Sequence, residues 1–310
     1  MALITSSTMR LLIAILALYL RPVFSLIVMV PLYAYLGGSG LSAWTSLTNI
    51  IRSHPEVQYL VVINPDSGPG STTYPDSNYI DGVARLNSFS NVNLIGYVDT
   101  WFTSVALETV YANIDKYADW AAYEQADIAL HGIFFDDMTT NANTTAYDYM
   151  SSVSNYAYSS FADSSRPTVV FNPGCKVDAT YFRWADYIIE FEDSLLQYKG
   201  LASVKRKKLA LRQKQAIIAH TATPGPAELK QLLSNMYKQH IGAVYMTTEC
   251  CYDVMSSGQL DNIWNYWQIA GWRMSRTSYA GNFNVISIVT ALLIWMKQNQ
   301  FSVISYLLIA

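Results

Sequence analysis

Between residues 26 and 248 the sequence repeats one theme eight times. An apolar, β-branched run gives way to polar and Gly/Pro residues and then, in most units, to a helical pattern. The runs fall at 26–35, 59–64, 93–99, 132–137, 168–172, 187–192, 215–220 and 243–248. The clearest helical periodicities lie at 41–53, 78–88, 105–123, 146–161 and 227–239, with Pro226 where a first-turn proline belongs. Strands alternating with helices predict parallel pairing through right-handed crossovers. Eight such units over about 260 residues predict a closed (β/α)8 TIM-type barrel, an α/β fold, rather than an open doubly wound sheet. The Ser/Thr/Gly/Pro stretch 66–73 reads as one long βα loop, so no linker divides the barrel. The expected organisation is a signal peptide or signal anchor at 1–23, a barrel at 24–280 and an apolar C-terminal tail at 281–310.

The run His131-Gly-Ile-Phe-Phe-Asp-Asp-Met138 drives an almost wholly apolar strand into two adjacent carboxylates. Apolar residues on both faces mark a strand buried on both faces. Ionised carboxylates are costly to bury unpaired, so a pair at such a strand end meets water, a ligand or a cation. The plainer alternative is that Asp136 and Asp137 only open a loop and cap the next helix. The other strand ends favour a site. They supply Tyr33, Tyr35, Asn64, Asp99, Trp101, Asn172, Glu190, Glu192, His220, Thr247 and Thr248, while the strand starts carry no comparable acid cluster. In parallel α/β proteins these C-terminal ends carry the active site.

Alternation along a strand sends Asp136 and Asp137 in different directions and puts Glu190 and Glu192 on one face. Carboxylates delivered by different strands are what glycoside hydrolysis needs: one gives a proton to the leaving oxygen, the other stabilises or attacks the cationic sugar centre. Tyr33, Tyr35 and Trp101 suit the apolar faces of sugar rings, and Asn64, Asp99, Asn172, Glu190, His220 and Thr248 suit hydroxyls. The competing chemistries are a divalent cation on Asp99, Asp136, Asp137 and Glu192, and a set of structural caps. His131 and His220, between apolar flanks, read as buried hydrogen-bonded barrel residues rather than catalysts.

Composition excludes other classes. A net charge of -3 argues against capture of nucleic acid, and the basic cluster Lys205-Arg-Lys-Lys208 with Arg212 and Lys214 reads as a solvated helix face. No glycine-rich phosphate loop follows any strand, so a nucleotide cofactor has no support, and no other cofactor is expected. Three cysteines fit neither a disulfide framework nor a zinc site. Cys250 and Cys251 are neighbours that would pair only with strain, which leaves a bridge from one of them to Cys175 as the alternative. Arg10 followed by the apolar run 11–20 reads as a secretory signal, with an uncleaved anchor second. The sequon at Asn143 is compatible with secretion. The apolar ends at 11–20 and 283–310 are the candidates for membrane association.

The segments Val30-Pro-Leu-Tyr33, Val62-Ile-Asn-Pro65 with Gly68-Pro-Gly70, Ile95-Gly-Tyr-Val98, Gly132-Ile-Phe-Phe-Asp-Asp137, Phe171-Asn-Pro-Gly174 and Phe191-Glu192 follow one another in a telling order. In that order they resemble spherulation-specific family 4, the spherulin-4-like proteins. The resemblance covers about Val30 to Thr248. It implies a secreted or cell-surface (β/α)8 glycoside hydrolase, endo-acting on galactosamine-containing fungal exopolysaccharide of the galactosaminogalactan kind. An acidic pair closes the fourth strand of that family and a glutamate the sixth, which here are Asp136, Asp137 and Glu192. On that reading Asp137 is the general acid, Glu192 the nucleophile or stabiliser, and Asp136 orients substrate. The family's pair is Asp-Glu and this one is Asp-Asp, so the carboxyl of Asp137 sits about 1.5 Å further back, a distance that matters for proton transfer. That change suits the alternative of a non-catalytic carbohydrate-binding or cell-surface protein on the same barrel.

Overall fold

The computed structural model describes residues 26–35, 44–161, 167–198 and 208–248. Eight strands close into a parallel barrel in chain order, β1 (Ile27–Leu32), β2 (Tyr59–Ile63), β3 (Val92–Asp99), β4 (Gly132–Asp136), β5 (Thr168–Phe171), β6 (Tyr187–Ser194), β7 (Gln215–His220) and β8 (Ala243–Met246). Closure is made by β1, which pairs with β2 on one side and β8 on the other. Parallel strands in a closed barrel are covered on both faces, and the sequence meets that demand: every residue of β2 and β8 is buried. Each fully buried Val, Leu, Ile or Phe side chain contributes about 1.5–3 kcal/mol.

Outside the strands run α1 (Thr45–Ser53), α2 (Ser77–Asn87), α3 (Leu107–Asp119), α4 (Thr144–Ser160), the one-turn α5 (Leu209–Arg212) and α6 (Pro226–Lys238). Five of these lie where the periodicity places helices. Their starts are set by local chemistry. Asp76 caps α2 by accepting from the backbone N–H of Asn78 and Tyr79, and Asn143 caps α4 by accepting from Ala146. Pro226 occupies the first turn of α6.

The helical ring is incomplete between β5 and β6, where a 3-10 segment at Ala179–Arg183 stands in for a helix. Lys214 serves this turn. Its Nζ donates to the carbonyls of Phe182 and Ala185 at 2.9 and 2.6 Å, so it is not part of a solvated basic face. The cluster at 205–207 lies outside the described residues, as do Cys250, Cys251 and the proposed segments 1–23 and 281–310. Cys175 is an exposed free thiol. Among the described residues no helix is long and apolar enough to cross a membrane.

One glycine fixes the entry to the strand that carries the acidic pair. Gly132 has φ +151°, and a Cβ there would lie 1.9 Å from the Thr168 carbonyl oxygen of β5. Only glycine lets β4 sit this close to its neighbour.

Candidate functional site

Three strand ends converge on a single amide. Asn172, just past β5 and 7% exposed, donates from Nδ2 to Asp136 Oδ1 at 2.7 Å and to Glu192 Oε2 at 2.8 Å. Its Oδ1 accepts from the backbone of Gly174 at 3.0 Å, so the amide is held from both ends. Gly174, with φ +63°, turns the chain so that its carbonyl takes the Glu192 backbone N–H at 3.0 Å. Glu192 is thereby fixed at main chain and side chain together.

Asp136 is the perturbed member. Burial pushes its carboxyl up to about 6, and the nearby Glu192 charge adds to the rise, while hydrogen bonds from Tyr97 and Asn172 hold it down. Burial, then the Asp136 carboxylate beside it, pushes the Tyr97 hydroxyl well above its ordinary value. Tyr97 lies two residues before Asp99 on β3, in register with Phe134, two residues before Asp136 on β4. The same face therefore presents Tyr97, Asp99, Phe134 and Asp136. The ring of Tyr97 stacks on Phe134 at 6.1 Å and meets Tyr33 edge-on at 5.5 Å. Sequence reading passes over Tyr97, although alternation back from Asp99 marks it.

Asp137 leaves the strand in a left-handed conformation, φ +46°, and is exposed. Its carboxyl is raised by partial burial and by Asp99, not by Glu192. Asp136 and Asp137 thus diverge as alternation requires, with Asp136 the one that joins Asn172 and Glu192.

Glu190 and Glu192 do not share a face. Strand β6 carries a bulge: Ile189 pairs with Ala216 and Phe191 with Ile217, so the register with β7 shifts across Glu190. The extra residue inverts the alternation beyond it. Glu190 is 3% exposed, bonded to Gln215 Nε2 and accepting from Val177 N–H at 3.4 Å. Its carboxyl is committed to the barrel wall, while Glu192 is freed to meet Asn172.

The remaining strand-end residues divide. Asp99 accepts from the Trp101 backbone at 2.7 Å and so shapes the turn after β3. Trp101, Phe102 and Thr103 have φ of +38°, +55° and +75°, a run of left-handed non-glycine residues that costs about 1–2 kcal/mol each. Trp101 is 64% exposed. Asn64 accepts from Gly68 N–H at 2.9 Å and organises the long loop after β2, which is the loop read at 66–73. Tyr35, beyond β1, donates to Asp76 Oδ2 at 3.1 Å, outside the Asn172 cluster. His220 is not buried: it is partly exposed at the end of β7, with Nδ1 2.9 Å from Thr221 Oγ1 and Nε2 4.0 Å from Asp193. Thr248 is half-buried past β8. Among the described residues no group of three or more His, Cys, Asp or Glu side chains is placed to hold a metal ion.

Known proteins share this framework. The crystal structure of Aspergillus clavatus Sph3 in complex with GalNAc is similar with a TM-score of 0.68 and 28% identity, over 77% of this chain and 98% of that one. Spherulin-4 of Physarum polycephalum is 30% identical over 246 residues, 74% of this chain and 66% of that protein, so the match spans just under two thirds of the relative's length. The model of spherulation-specific family 4 matches residues 27–268, a span holding all eight strands and the Asp136–Asn172–Glu192 cluster. On that match, and on the order of its strand-end residues, the chain belongs to spherulation-specific family 4.

Proposed function

We propose that this protein is a glycoside hydrolase that cleaves within a galactosamine-containing polysaccharide, secreted or held at the cell surface. The observation that carries the proposal is the Asn172 amide shared by Asp136 and Glu192. Two carboxyl groups within reach of one nitrogen cannot both ionise cheaply, so one keeps a proton while the other stays charged. Asp136, pushed up to about 6, is the group that keeps it. Asp136 donates that proton to the glycosidic oxygen, and ionised Glu192 stabilises or attacks the anomeric carbon. Such proximity fits a retaining arrangement, in which the carboxyls stand about 5–5.5 Å apart. The GalNAc complex of the Aspergillus clavatus protein supports an amino sugar as the unit recognised.

The family resemblance gives proton donation to Asp137. We assign it to Asp136 instead, because Asp136 has the buried setting and the carboxylate partner, while Asp137 lies exposed beside Asp99. Asp137 then orients substrate at the rim. The second reading, a carbohydrate-binding protein without turnover, is favoured by one observation, the Asp at 137 where the family carries Glu.

The test is incubation of the purified protein and its Asp136→Asn, Asp137→Asn and Glu192→Gln variants with galactosaminogalactan, reading released oligosaccharides. Release by the parent, lost in Asp136→Asn and Glu192→Gln and largely kept in Asp137→Asn, is the expected pattern. Equal loss in Asp137→Asn returns the donor role to that residue. Binding without release favours the second reading. A chelator arm reads out any dependence on a divalent cation.

A further inference from the structure

The turn after β3 puts two large aromatic side chains into solvent, Trp101 at 64% and Phe102 at 55% exposure. Large contiguous exposed apolar patches mark interaction sites, whereas apolar residues scattered singly over a surface are ordinary. Three features set this pair apart from scattered surface aromatics.

The first is the backbone. Trp101, Phe102 and Thr103 are consecutive left-handed residues, none of them glycine. Strain of this kind persists only where surrounding contacts impose it, and it gathers at ligand clamps. The second is what imposes it. Trp101 N–H is held by Asp99 Oδ1 at 2.7 Å, and Phe102 N–H donates to the Asp137 carbonyl at 2.7 Å. Thr100 Oγ1 donates to the carbonyls of Asp136 and Asp137 at 2.9 and 3.1 Å. The aromatic turn is therefore bolted to the backbone of the acidic pair itself. The third is how little the fold covers them: Trp101 and Phe102 each leave more than half of their surface in water.

We infer that Trp101 and Phe102 form a second sugar-binding subsite, stacking on the unit next to the one held over Asp136 and Glu192. This rests on the carbohydrate reading above. A galactose-type ring carries C–H groups on one face that match an aromatic ring. The subsite makes the protein a reader of chains rather than of single sugars. Because the turn shares hydrogen bonds with residues 136 and 137, a chain seated on it has a fixed register over the carboxylates.

The experiment is calorimetric titration of galactosamine oligosaccharides of increasing length into the parent and the Trp101→Ala, Phe102→Ala and Trp101→Phe variants, with thermal unfolding run alongside. The parent is expected to bind longer chains more tightly than the monosaccharide. The alanine variants should lose about tenfold or more on the longer chains, the equivalent of burying one aromatic face, with a far smaller loss on the monosaccharide. Trp101→Phe should recover part of that loss, and the melting temperatures should stay within a few degrees. A parent that binds the monosaccharide without gaining affinity from length overturns the subsite alone. Equal oligosaccharide affinity in parent and alanine variants does the same. A parent that binds no sugar of any length overturns both this subsite and the carbohydrate reading.

Discussion

Asp136 and Glu192 come from strands that are not neighbours, yet both accept from the same nitrogen of Asn172, at 2.7 and 2.8 Å. The amide is an electrostatic buffer between two acids. It favours the charged form of Asp136, opposing the burial and the Glu192 charge that raise it.

Removing that buffer has a definite sign. In Asn172→Ala the carboxyl of Asp136 loses a donor that stabilises its anion, so its titration moves further up. The basic limb of the pH–rate profile should shift to higher pH. A hydrogen bond to a charged group contributes about 1.5–3 kcal/mol, so turnover should fall by roughly 10- to 150-fold. Steady-state rates from pH 4 to 9 decide it, and an unmoved limb would detach Asn172 from the proton.

Stability should also follow Asp136. Its folded value is raised from 3.8 to about 6, so the folded chain holds this proton more tightly than the unfolded chain does. The stabilisation is complete below the unfolded value and is lost as pH rises through about 6. The shift corresponds to at most about 3 kcal/mol, less once residual hydration is allowed for. Asp136→Asn has no charge to develop there. Urea midpoints for parent and variant, compared at pH 4 and pH 8, should diverge in the variant's favour at pH 8. A variant that tracks the parent at both values would show that Asp136 is not the strained acid.

The barrel was legible because buried parallel strands and amphipathic helices leave different periodicities, and eight alternations leave one closed topology. Asp136, Asn172 and Glu192 were legible for the same reason: each ends an apolar run where a buried strand meets the mouth. The bulge at Glu190 was not. Nothing in Tyr187-Ile-Ile-Glu-Phe-Glu192 marks an extra residue, since no Gly or Pro interrupts it, and simple alternation then puts both glutamates on one face. The left-handed backbone of Asp137 and of Trp101 to Thr103 was equally hidden. It is imposed by tertiary hydrogen bonds between β3 and β4 ends rather than by glycine.

Gly132 offers a test of the frame that carries the site. Gly132→Ala brings a Cβ against the Thr168 carbonyl, a contact that cannot be relieved without separating β4 from β5. Overpacking and the unfavourable φ together should cost about 3 kcal/mol or more. Thermal unfolding reads the loss, and a variant within 1 °C of the parent would contradict the close approach.

Glu190 gives the sharpest separation between shape and chemistry. Its bonds to Gln215 and Val177 hold the bulge that turns Glu192 toward Asn172. Glu190→Gln keeps an oxygen for the Val177 N–H and should retain most activity. Glu190→Leu removes both bonds and should destabilise the fold by about 1–3 kcal/mol. If the bulge relaxes, Glu192 swings away and its charge no longer raises Asp136. The basic limb of the pH–rate profile should then move down, the opposite direction to Asn172→Ala. Loss of stability alone cannot move that limb, so a Glu190→Leu protein that is less stable but keeps the parent's pH profile would show that Glu190 does not position Glu192.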